Sequence, residues 1–285
     1  MNFRTRFAPS PTGLLHLGHL FSAHVAFTLA KKNSGDFLLR IDDIDTSRSK
    51  KKWEDKIYED LEWLGLTWSS SPLKQTELIQ EYHEALKKLK QMGVLYPCSC
   101  TRSDILTALS APHESTSTPR QFNKVYPGTC RGRPMSTALN SDAIRLDMQQ
   151  AQNLINSELF YQETGVTPGL KKINTNSLST VFGDVVLRRK GKNEIAYHLA
   201  VVVDDAFQKI THVVRGSDLQ EATKVHVMLQ NLLNIETPIY HHHRLVLDEN
   251  GKRLAKRNDA RSISSFKKRG LDPTDVFKLA GINEL

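Results

Sequence analysis

The protein is a chain of 285 residues with a formal net charge of +8, and 39% of its residues are hydrophobic and 25% charged. This composition is typical of a soluble globular protein with one large domain or two. The sequence has no run of about 18 apolar residues and no apolar signal segment after Met1. We therefore expect a cytoplasmic protein without membrane contact.

Three cysteines argue against a disulfide framework. The positive charge favours a polyanionic partner such as a nucleic acid, although a solvated basic surface is an alternative.

The first sixteen residues predict a strand followed by a loop. An apolar run from Asn2 to Ala8 predicts the strand, and the prolines and glycine of residues 9–13 predict the loop. A helix is predicted from about Leu17 to Lys32, ended by Asn33-Ser34-Gly35. This strand-loop-helix turn directs backbone N–H groups and the positive end of the helix dipole at a ligand, which favours an anion such as a nucleotide phosphate.

Two histidines lie at this turn, on either side of Gly18. His16 and His19 are three positions apart, so they share a helix face and can both donate to phosphate oxygens. Gly18 lacks a side chain and lets a flat ligand lie against the helix. The alternative is an ordinary loop with two surface histidines.

Carboxylates follow the second predicted strand, Asp36 to Ile41. Asp42, Asp43 and Asp45 would lie at the carboxyl edge of the sheet, where open α/β sheets bind ligands. They can bind an amino group, a metal or a ribose, or they can form a solvated acidic turn.

The later elements predict a parallel α/β sheet interrupted by a less regular insertion that includes Phe160 and Tyr161. Tyr197 to Ala206 is compatible with either a helix or an extended segment. Helices are predicted at Lys50 to Leu64, Glu77 to Met92, from Ser217 or Asp218 to about Leu233, and from Asp272-Pro273 to near Ala280. Strands are predicted at Ala143 to Met148, Asp184 to Arg188, Ile210 to Arg215 and Ile239 to Leu247.

Two arginines and a basic loop supply cations for an acidic, phosphorylated ligand. Arg6 and Arg215 fall at predicted sheet edges that face one crevice, where arginine suits a carboxylate. They can instead pair with Asp42, Asp43 or Asp218. The basic loop Lys252 to Arg257 contains Lys256, our candidate for stabilising a transferring phosphate, although such runs are often solvated basic surfaces.

Cys98, Cys100 and Cys130 offer three of the four ligands of a tetrahedral zinc site. The fourth ligand is either His113 or Tyr126, which lies four residues before Cys130 across a Pro-Gly turn. Three thiols without a metal function are the alternative.

Five ordered blocks resemble the glutamyl-tRNA synthetases, which are class I aminoacyl-tRNA synthetases. The first runs from Arg6 to Gly13 and leads into His16-Leu17-Gly18-His19, which resembles the HIGH motif. The others are Arg40 to Asp45, Ala196 to Asp205, Ile210 to Leu219, and Arg253 to Arg257 in the place of the KMSKS loop. Only Asn258 to Leu285 follow that loop, which indicates the short paralogous family, the glutamyl-Q tRNA(Asp) synthetases. The Cys-x-Cys and Tyr-x₃-Cys pattern resembles the zinc site of that short family, which favours Tyr126 over His113.

The resemblance implies a Rossmann-like nucleotide-binding domain with a parallel sheet and an inserted α+β subdomain that contains zinc. Residues 1–97 and 185–240 would form the two halves of the catalytic domain, and residues 98–184 the inserted subdomain. Residues 241–285 would carry the KMSKS-like loop and a short helical segment, without an anticodon-binding domain.

The activity implied by the resemblance is a ligase reaction of a monomeric enzyme. It would activate L-glutamate with ATP and Mg²⁺ and transfer the glutamyl group to queuosine in the anticodon of tRNA(Asp). Alternatives are a truncated glutamyl-tRNA synthetase that charges a tRNA 3′ end and a non-catalytic tRNA-binding remnant. Implied glutamate-binding residues are Arg6, Phe7, Ala8, Pro9, Ser10, Asp42, Tyr197 and Arg215. Implied ATP-binding residues are His16, Gly18, His19 and Lys256, of which the two histidines and Lys256 are catalytic. Implied zinc ligands are Cys98, Cys100, Tyr126 and Cys130.

This chain departs from the family pattern at three positions of the implied site. Asp42 stands where the glutamate enzymes usually have Glu, so its reach is shorter. Ala255 and Arg257 replace both serines of KMSKS.

Overall fold

The computed structural model describes residues 2–110, 125–191, 194–247 and 262–282. Within these ranges the chain forms ten strands and ten α-helices. The strands are β1 (Arg4–Phe7), β2 (Asp36–Ile41), β3 (Leu73–Lys74), β4 (Leu95–Cys98), β5 (Ala143–Leu146), β6 (Leu159–Glu163), β7 (Gly169–Ile173), β8 (Val186–Arg188), β9 (His212–Gly216) and β10 (Ile239–His243). The helices are α1 (Leu17–Lys32), α2 (Lys51–Trp63), α3 (Ile79–Gln91), α4 (Arg102–Ser110), α5 (Met148–Leu154), α6 (Leu178–Val181), α7 (Tyr197–Phe207), α8 (Ala222–Leu233), α9 (Ile263–Lys268) and α10 (Pro273–Leu279).

A largely parallel sheet forms the centre of the molecule. Strand β2 pairs in parallel with β1 and β3, and β10 pairs in parallel with β9. The backbone N–H of Thr211, just before β9, donates to the carbonyl of Arg4 in β1 at 3.1 Å, so the two ladders adjoin. The chain passes from β1 outward to β2 and from β9 outward to β10, and such a switch point is where open α/β sheets bind ligands. The predicted parallel α/β sheet is therefore confirmed.

Helix α1 follows the loop after β1, and its bounds agree with the predicted helix from Leu17 to Lys32. His16 is the N-cap, and its Nδ1 accepts a hydrogen bond from the backbone N–H of Gly18 at 3.1 Å. The chain then turns at Gly35, where a Cβ would collide with the backbone of Phe3. A residue without a side chain is needed for this close approach.

Most other predicted elements are present with bounds that differ by a few residues. The observed first strand, Arg4–Phe7, is shorter than the predicted one from Asn2 to Ala8. Helix α3 begins after a 3₁₀ turn at Gln75–Leu78. The last predicted strand ends at His243, four residues early. The segment that fitted either a helix or a strand is helix α7, in which residues 199–205 are all buried and so cover every side of the helix. Because a helix buried all round has no apolar period of 3.6, sequence alone left both possibilities open.

Strands from the segment 98–184 belong to two different sheets. Strands β4, β5 and β8 form a separate antiparallel sheet. The hairpin of β6 and β7 instead extends the central sheet, because β6 pairs in parallel with β10 through Glu163 and Tyr240. The domain boundaries at residues 98 and 184 stay a prediction, and the hairpin connects the predicted insertion directly to the catalytic sheet.

The short C-terminal helices pack against the first half of the sheet. Ser262 caps α9, and the next N–H, of Ile263, donates to the carbonyl of Leu15 at 2.9 Å. Asp272 caps α10 as predicted, accepting from the N–H of Asp275 at 2.9 Å. No helix in the described part of the chain has both the length and the apolar character needed to cross a membrane.

Candidate active site

A pocket of about 530 Å³ opens where the carboxyl ends of β1, β2, β9 and β10 meet the start of α1. Its position at the switch point agrees with the rule for ligand binding in such sheets. The residues that line it are Arg6, Phe7, Ala8, Pro9, Ser10, His16, Gly18, His19, Ser22, Arg40, Asp42, Tyr197, Val201, Val214, Arg215, Gly216, Asp218, Leu219, His243, Leu245 and Val246.

The lining includes every residue predicted to bind glutamate or ATP except Lys256. Lys256 lies outside the described residues, as does the rest of the basic loop, residues 252–257. Sequence reasoning missed several lining residues. Ser22 lies one helical turn after Gly18, and Arg40 lies two positions before Asp42 on the same strand face, so periodicity alone would have found both. His243 ends β10 and carried no comparable local signal.

The two histidines at the start of α1 are held in one orientation. Their rings stack with centroids 3.7 Å apart. The backbone N–H of Gly18 donates to Nδ1 of His16, and the backbone N–H of His16 donates to Nδ1 of His19 at 3.2 Å. Because Nδ1 accepts a hydrogen bond from a backbone N–H in both rings, it carries no proton, and the proton of each ring is on Nε2. Both rings thus carry a donor suited to a phosphate oxygen at the positive end of the helix.

The surroundings of Gly18 give a further reason for glycine there, and its predicted role toward a ligand stays a prediction. A Cβ at this position would lie 3.1 Å from Cε1 and 3.2 Å from Nδ1 of His16. The missing side chain therefore makes room for the His16 ring over the first turn of α1, and the ring is what covers the helix end.

Arg6 is buried and is bound by Asp205, which the sequence did not predict. Nε of Arg6 donates to Oδ1 of Asp205 at 2.9 Å, Nη2 donates to Oδ2 at 3.3 Å, and Nη1 donates to the carbonyl of Val214 at 3.0 Å. Burial opposes ionisation of Asp205, but Arg6 and Arg40 outweigh it and lower the pKa of this carboxyl. The alternative pairings of Arg6 with Asp42, Asp43 or Asp218 are wrong.

Asp42 is bound by Arg40, which is fully buried. Nε of Arg40 donates to Oδ1 of Asp42 at 2.8 Å, and Nη1 donates to Asp205 at 2.6 Å. Burial raises the pKa of Asp42 even though Arg40 stabilises the charged form. The structure thus connects the loop after β2 to the same ionic cluster as Arg6.

Asp204 completes this cluster from the side of α7. It accepts hydrogen bonds from Tyr82 and from Nε2 of Gln75, the latter at 2.8 Å. Burial raises the pKa of Asp204 to about 7, so this carboxyl is partly protonated at neutral pH.

Arg215 is buried among neutral partners. Nε donates to Nε2 of His242 at 3.2 Å, Nη1 donates to Nδ1 of His226 at 3.1 Å, and Nη2 donates to Oγ1 of Thr223 at 2.7 Å. Burial and the nearby Arg215 lower the pKa of His226 well below its ordinary value. Arg6 therefore contacts a carboxylate directly. Among the described residues, no carboxylate contacts Arg215, so its positive charge is not neutralised by a direct partner.

Cys98, Cys100 and Cys130 form a cluster with Tyr126 at the end of β4. The three sulfur atoms lie within 4.8 Å of one another, and Sγ of Cys100 is 3.4 Å from Sγ of Cys130. The Tyr126 hydroxyl oxygen lies 3.3 Å from Sγ of Cys98 and 3.5 Å from Sγ of Cys100. All three cysteines are free thiols, as expected. His113, the other predicted fourth ligand, lies outside the described residues.

The donor set is compatible with a tetrahedral metal ion. With Zn–S bonds of about 2.3 Å, two tetrahedral sulfur ligands lie about 3.8 Å apart. Burial opposes ionisation of Cys130, but hydrogen bonds from Tyr126 and from the backbone of Ser99 lower the pKa of its thiol to about 6. Burial raises the pKa of Cys100 to about 11, so a cation would be needed to hold all three thiols as thiolates.

Comparison with known proteins identifies the family. The family described as tRNA synthetases class I (E and Q), catalytic domain, matches residues 2–282. The chain belongs to this family. Family membership confirms the predicted class I synthetase fold and an enzyme of the aminoacyl-tRNA synthetase type. The individual roles of the pocket residues stay predictions.

This chain is similar both to relatives of about its own length and to longer relatives. It is 47% identical over 281 residues to the glutamyl-Q tRNA(Asp) synthetase of Rhodobacter capsulatus, covering 98% of this chain and 99% of that protein. It is 35% identical to the glutamyl-Q tRNA(Asp) synthetase of Geobacter sulfurreducens, covering 91% of this chain and 77% of that protein. A crystal structure of the glutamate-tRNA synthetase of Elizabethkingia anophelis superposes with a TM-score of 0.70 at 27% identity, covering 95% of this chain and 54% of that structure. The chain thus spans about half the length of that glutamate-tRNA synthetase.

Proposed function

We propose that this enzyme activates L-glutamate with ATP and transfers the glutamyl group to queuosine in the anticodon of tRNA(Asp). In the first step an oxygen of the glutamate α-carboxylate attacks the α-phosphorus of ATP, and pyrophosphate leaves. The product is the mixed anhydride glutamyl-adenylate. In the second step the modified base attacks the activated carbonyl, and AMP leaves. The single observation that carries the proposal is the pocket at the switch point, which combines two phosphate-directed histidines with two buried arginines.

The chain's own residues position the reactants and stabilise charge, and no side chain is needed as a nucleophile. The Nε2–H groups of His16 and His19 suit ATP phosphates, as does the N-terminus of α1. Lys256 would stabilise the transferring phosphate, and Mg²⁺ accompanies ATP. Ser10, Asp42 and Tyr197 complete the glutamate site, with Asp42 directed at the amino group.

The electrostatic difference between the two arginines assigns them different parts of glutamate. The charge of Arg6 is compensated by Asp205, whereas the hydrogen-bond partners of Arg215 among the described residues are the neutral His242, His226 and Thr223. A substrate carboxylate gains most from the uncompensated cation, so Arg215 is the group suited to the side-chain carboxylate. The neutral amide of glutamine would gain much less.

Glutamate-dependent exchange of pyrophosphate into ATP tests the first step. We expect exchange with glutamate and little with glutamine. Arg215→Ala should lower glutamate activation at least tenfold, since one charge-assisted hydrogen bond is worth about 1.5–3 kcal/mol. Arg4→Ala is the control, because Arg4 bonds to Asp36 and to the backbone of Gln208 and does not line the pocket. Unchanged activation in Arg215→Ala would remove Arg215 from the site.

The acceptor is tested with labelled glutamate and separate tRNAs. We expect labelling of tRNA(Asp) that contains queuosine and none of the same tRNA without it. Labelling at the 3′ end of tRNA(Glu) would support a truncated glutamyl-tRNA synthetase instead. Absence of any glutamate-dependent exchange would support a non-catalytic tRNA-binding remnant. We expect the enzyme to act as a monomer in the cytoplasm, where ATP and tRNA are found.

We also propose one structural Zn²⁺ per chain, held by Cys98, Cys100, Tyr126 and Cys130. The distances in the cluster support this proposal. The ion would hold the end of β4 to residues 126–130 and takes no part in the reaction. Elemental analysis of protein purified without chelator should find one zinc per chain, and finding none would refute the site.

A further inference from the structure

Glu163 is a fully buried carboxylate at the end of β6, and it does not line the pocket. Its Oε1 accepts hydrogen bonds from the backbone N–H of His242 at 3.0 Å and of Gly165 at 2.7 Å. Its Oε2 is 2.5 Å from Nδ1 of His242. Burial opposes ionisation, but these bonds outweigh it and lower the pKa of Glu163. Glu163 is therefore an ionised group directed at one histidine.

The loop after β6 is shaped for this contact. A Cβ at Gly165 would collide with the backbone carbonyl of His242, so the loop can approach β10 only with glycine there. The same approach brings the N–H of Gly165 to Glu163. The hairpin is thus fitted to the strand that carries His242.

The hydrogen bonds of His242 determine which ring nitrogen carries the proton. A guanidinium group can only donate, so Nε2 of His242 must accept the hydrogen bond from Nε of Arg215. Burial lowers the pKa of His242 despite its bond with Glu163, and the ring is neutral at neutral pH. Its proton is therefore on Nδ1, where it is donated to Glu163. The result is a linear arrangement of carboxylate, imidazole and guanidinium.

A second histidine holds the opposite side of the guanidinium. Nδ1 of His226 accepts from Nη1 of Arg215, so the proton of His226 is on Nε2, 3.1 Å from Nδ1 of His198. Burial and Arg215 lower the pKa of His198 to about 4, which keeps this ring neutral too. With Thr223 on Nη2, Arg215 is held at all three nitrogens while it still lines the pocket.

We propose that Glu163 is a positioning residue that acts through the tautomer of His242 to orient Arg215, and thereby sets the preference of the pocket for glutamate over glutamine. Glu163 also supplies a counter-charge one imidazole away, which stabilises buried Arg215 without contacting its guanidinium. The orientation step rests on the structure alone. The substrate preference rests on the proposed function.

Glu163→Gln is a sharp test because the amide cannot satisfy all three donors. If the amide nitrogen takes the place of Oε1, it opposes two backbone N–H groups. If the amide nitrogen takes the place of Oε2, it opposes only the Nδ1–H of His242, so this orientation is favoured. The amide then donates to Nδ1 of His242 and moves the ring proton to Nε2, where it opposes the N–H of Arg215. The substitution should reverse the tautomer and release Arg215.

Nitrogen-15 NMR of histidine side chains reads the tautomer without substrate. The His242 signals, assigned by their loss in His242→Asn, should show a proton on Nδ1 in the wild-type protein and on Nε2 in Glu163→Gln. A wild-type His242 with its proton on Nε2 would overturn the proposal, and this measurement needs no folded Glu163 variant.

Pyrophosphate exchange reads the consequence for specificity. Glu163→Gln should raise the KM for glutamate and lower the ratio of glutamate to glutamine kcat/KM about tenfold, while the KM for ATP stays unchanged. Tyr161→Phe is the control, because Tyr161 is a buried residue of the same strand whose ring packs edge-on against Tyr240, and the substitution keeps that ring. An unchanged ratio in Glu163→Gln, or an equal fall in Tyr161→Phe, would overturn the link. A wild-type enzyme without glutamate-dependent exchange would refute the proposed function, and the NMR result would still decide whether Glu163 sets the tautomer.

Discussion

Replacing Asp205 by asparagine removes one charge from a buried cluster and leaves the size of the side chain almost unchanged. Oδ1 of Asp205 accepts from Nε of Arg6 and from Nη1 of Arg40, and Oδ2 accepts from Nη2 of Arg6. The substituted amide can keep its oxygen at the first position, so two hydrogen bonds survive. Its nitrogen then opposes Nη2 of Arg6, and two buried arginines lose a shared counter-charge.

The distances give the size of the effect. At an effective dielectric constant of about 20, one charge pair at about 3 Å is worth about 5–6 kcal/mol. The two surviving hydrogen bonds offset part of this electrostatic loss. Removing one partner of a buried ion pair typically costs about 3–5 kcal/mol of stability. We therefore expect Asp205→Asn to lower the free energy of unfolding by about 3 kcal/mol. Because Arg6 loses its bidentate partner, the KM for glutamate should rise about tenfold.

A second ion pair of the same sheet is a matched control. Asp36 accepts from Nε and Nη2 of Arg4 at 3.2 Å and 2.9 Å, but its side chain is 35% exposed. Exposed pairs contribute about 0–1 kcal/mol. Urea denaturation followed by circular dichroism should therefore show a small loss for Asp36→Asn and a large one for Asp205→Asn. Equal losses would refute the assignment of the effect to burial.

The pH dependence of the difference supplies a further check. The pKa of Asp205 is lowered in the folded protein, so its contribution to stability is present above the ordinary aspartate pKa of about 3.9. The contribution is lost as the pH falls through the folded pKa. The difference between wild type and Asp205→Asn should therefore shrink in acid, below about pH 4. A difference that grows below pH 4 would contradict this reasoning.

Two further predictions concern Asp42 and the cysteine cluster. Asp42→Glu extends the carboxylate toward the pocket by one methylene. We expect the KM for glutamate to fall about threefold in exchange assays, which corresponds to a gain of about 0.7 kcal/mol in binding. A higher KM would mean that the 2.8 Å bond of Asp42 to Arg40 matters more than the length of the side chain. Chelation of the proposed zinc should lower the melting temperature of the protein. The reason is that a structural metal that binds only the folded chain stabilises it by mass action. An unchanged melting curve, with loss of the metal verified by elemental analysis, would refute a structural role.

The sequence predicted elements that depend on local signals. Helix α1 was predicted because a loop rich in proline precedes it and Asn33-Ser34-Gly35 ends it, and these signals act within a few residues of the helix ends. The lining of the pocket was also largely predicted, because its residues follow strand ends in blocks shared with a known family. Helix α7 was left open, since burial on all sides removes the periodic pattern.

The contact of Arg6 with Asp205 and that of His242 with Glu163 could not be predicted from the sequence, because each joins residues that are far apart along the chain. Asp205 is 199 residues from Arg6, and the parallel sheet joins them only because α7 packs beside the β1–β9 switch point. Glu163 is 79 residues from His242. By sequence alone, many carboxylates could pair with an arginine, and Asp42, Asp43 and Asp218 were candidates because they follow predicted strands whose ends face the same crevice.

The hairpin of β6 and β7 changes how the segment 98–184 relates to catalysis. As a separate insertion it would have no direct contact with the amino-acid site. Instead β6 extends the catalytic sheet beside β10 and brings Glu163 behind Arg215, with one histidine between them. If Glu163 sets the preference for glutamate as proposed, substitutions that loosen the packing of this hairpin should reduce discrimination against glutamine before they abolish activation.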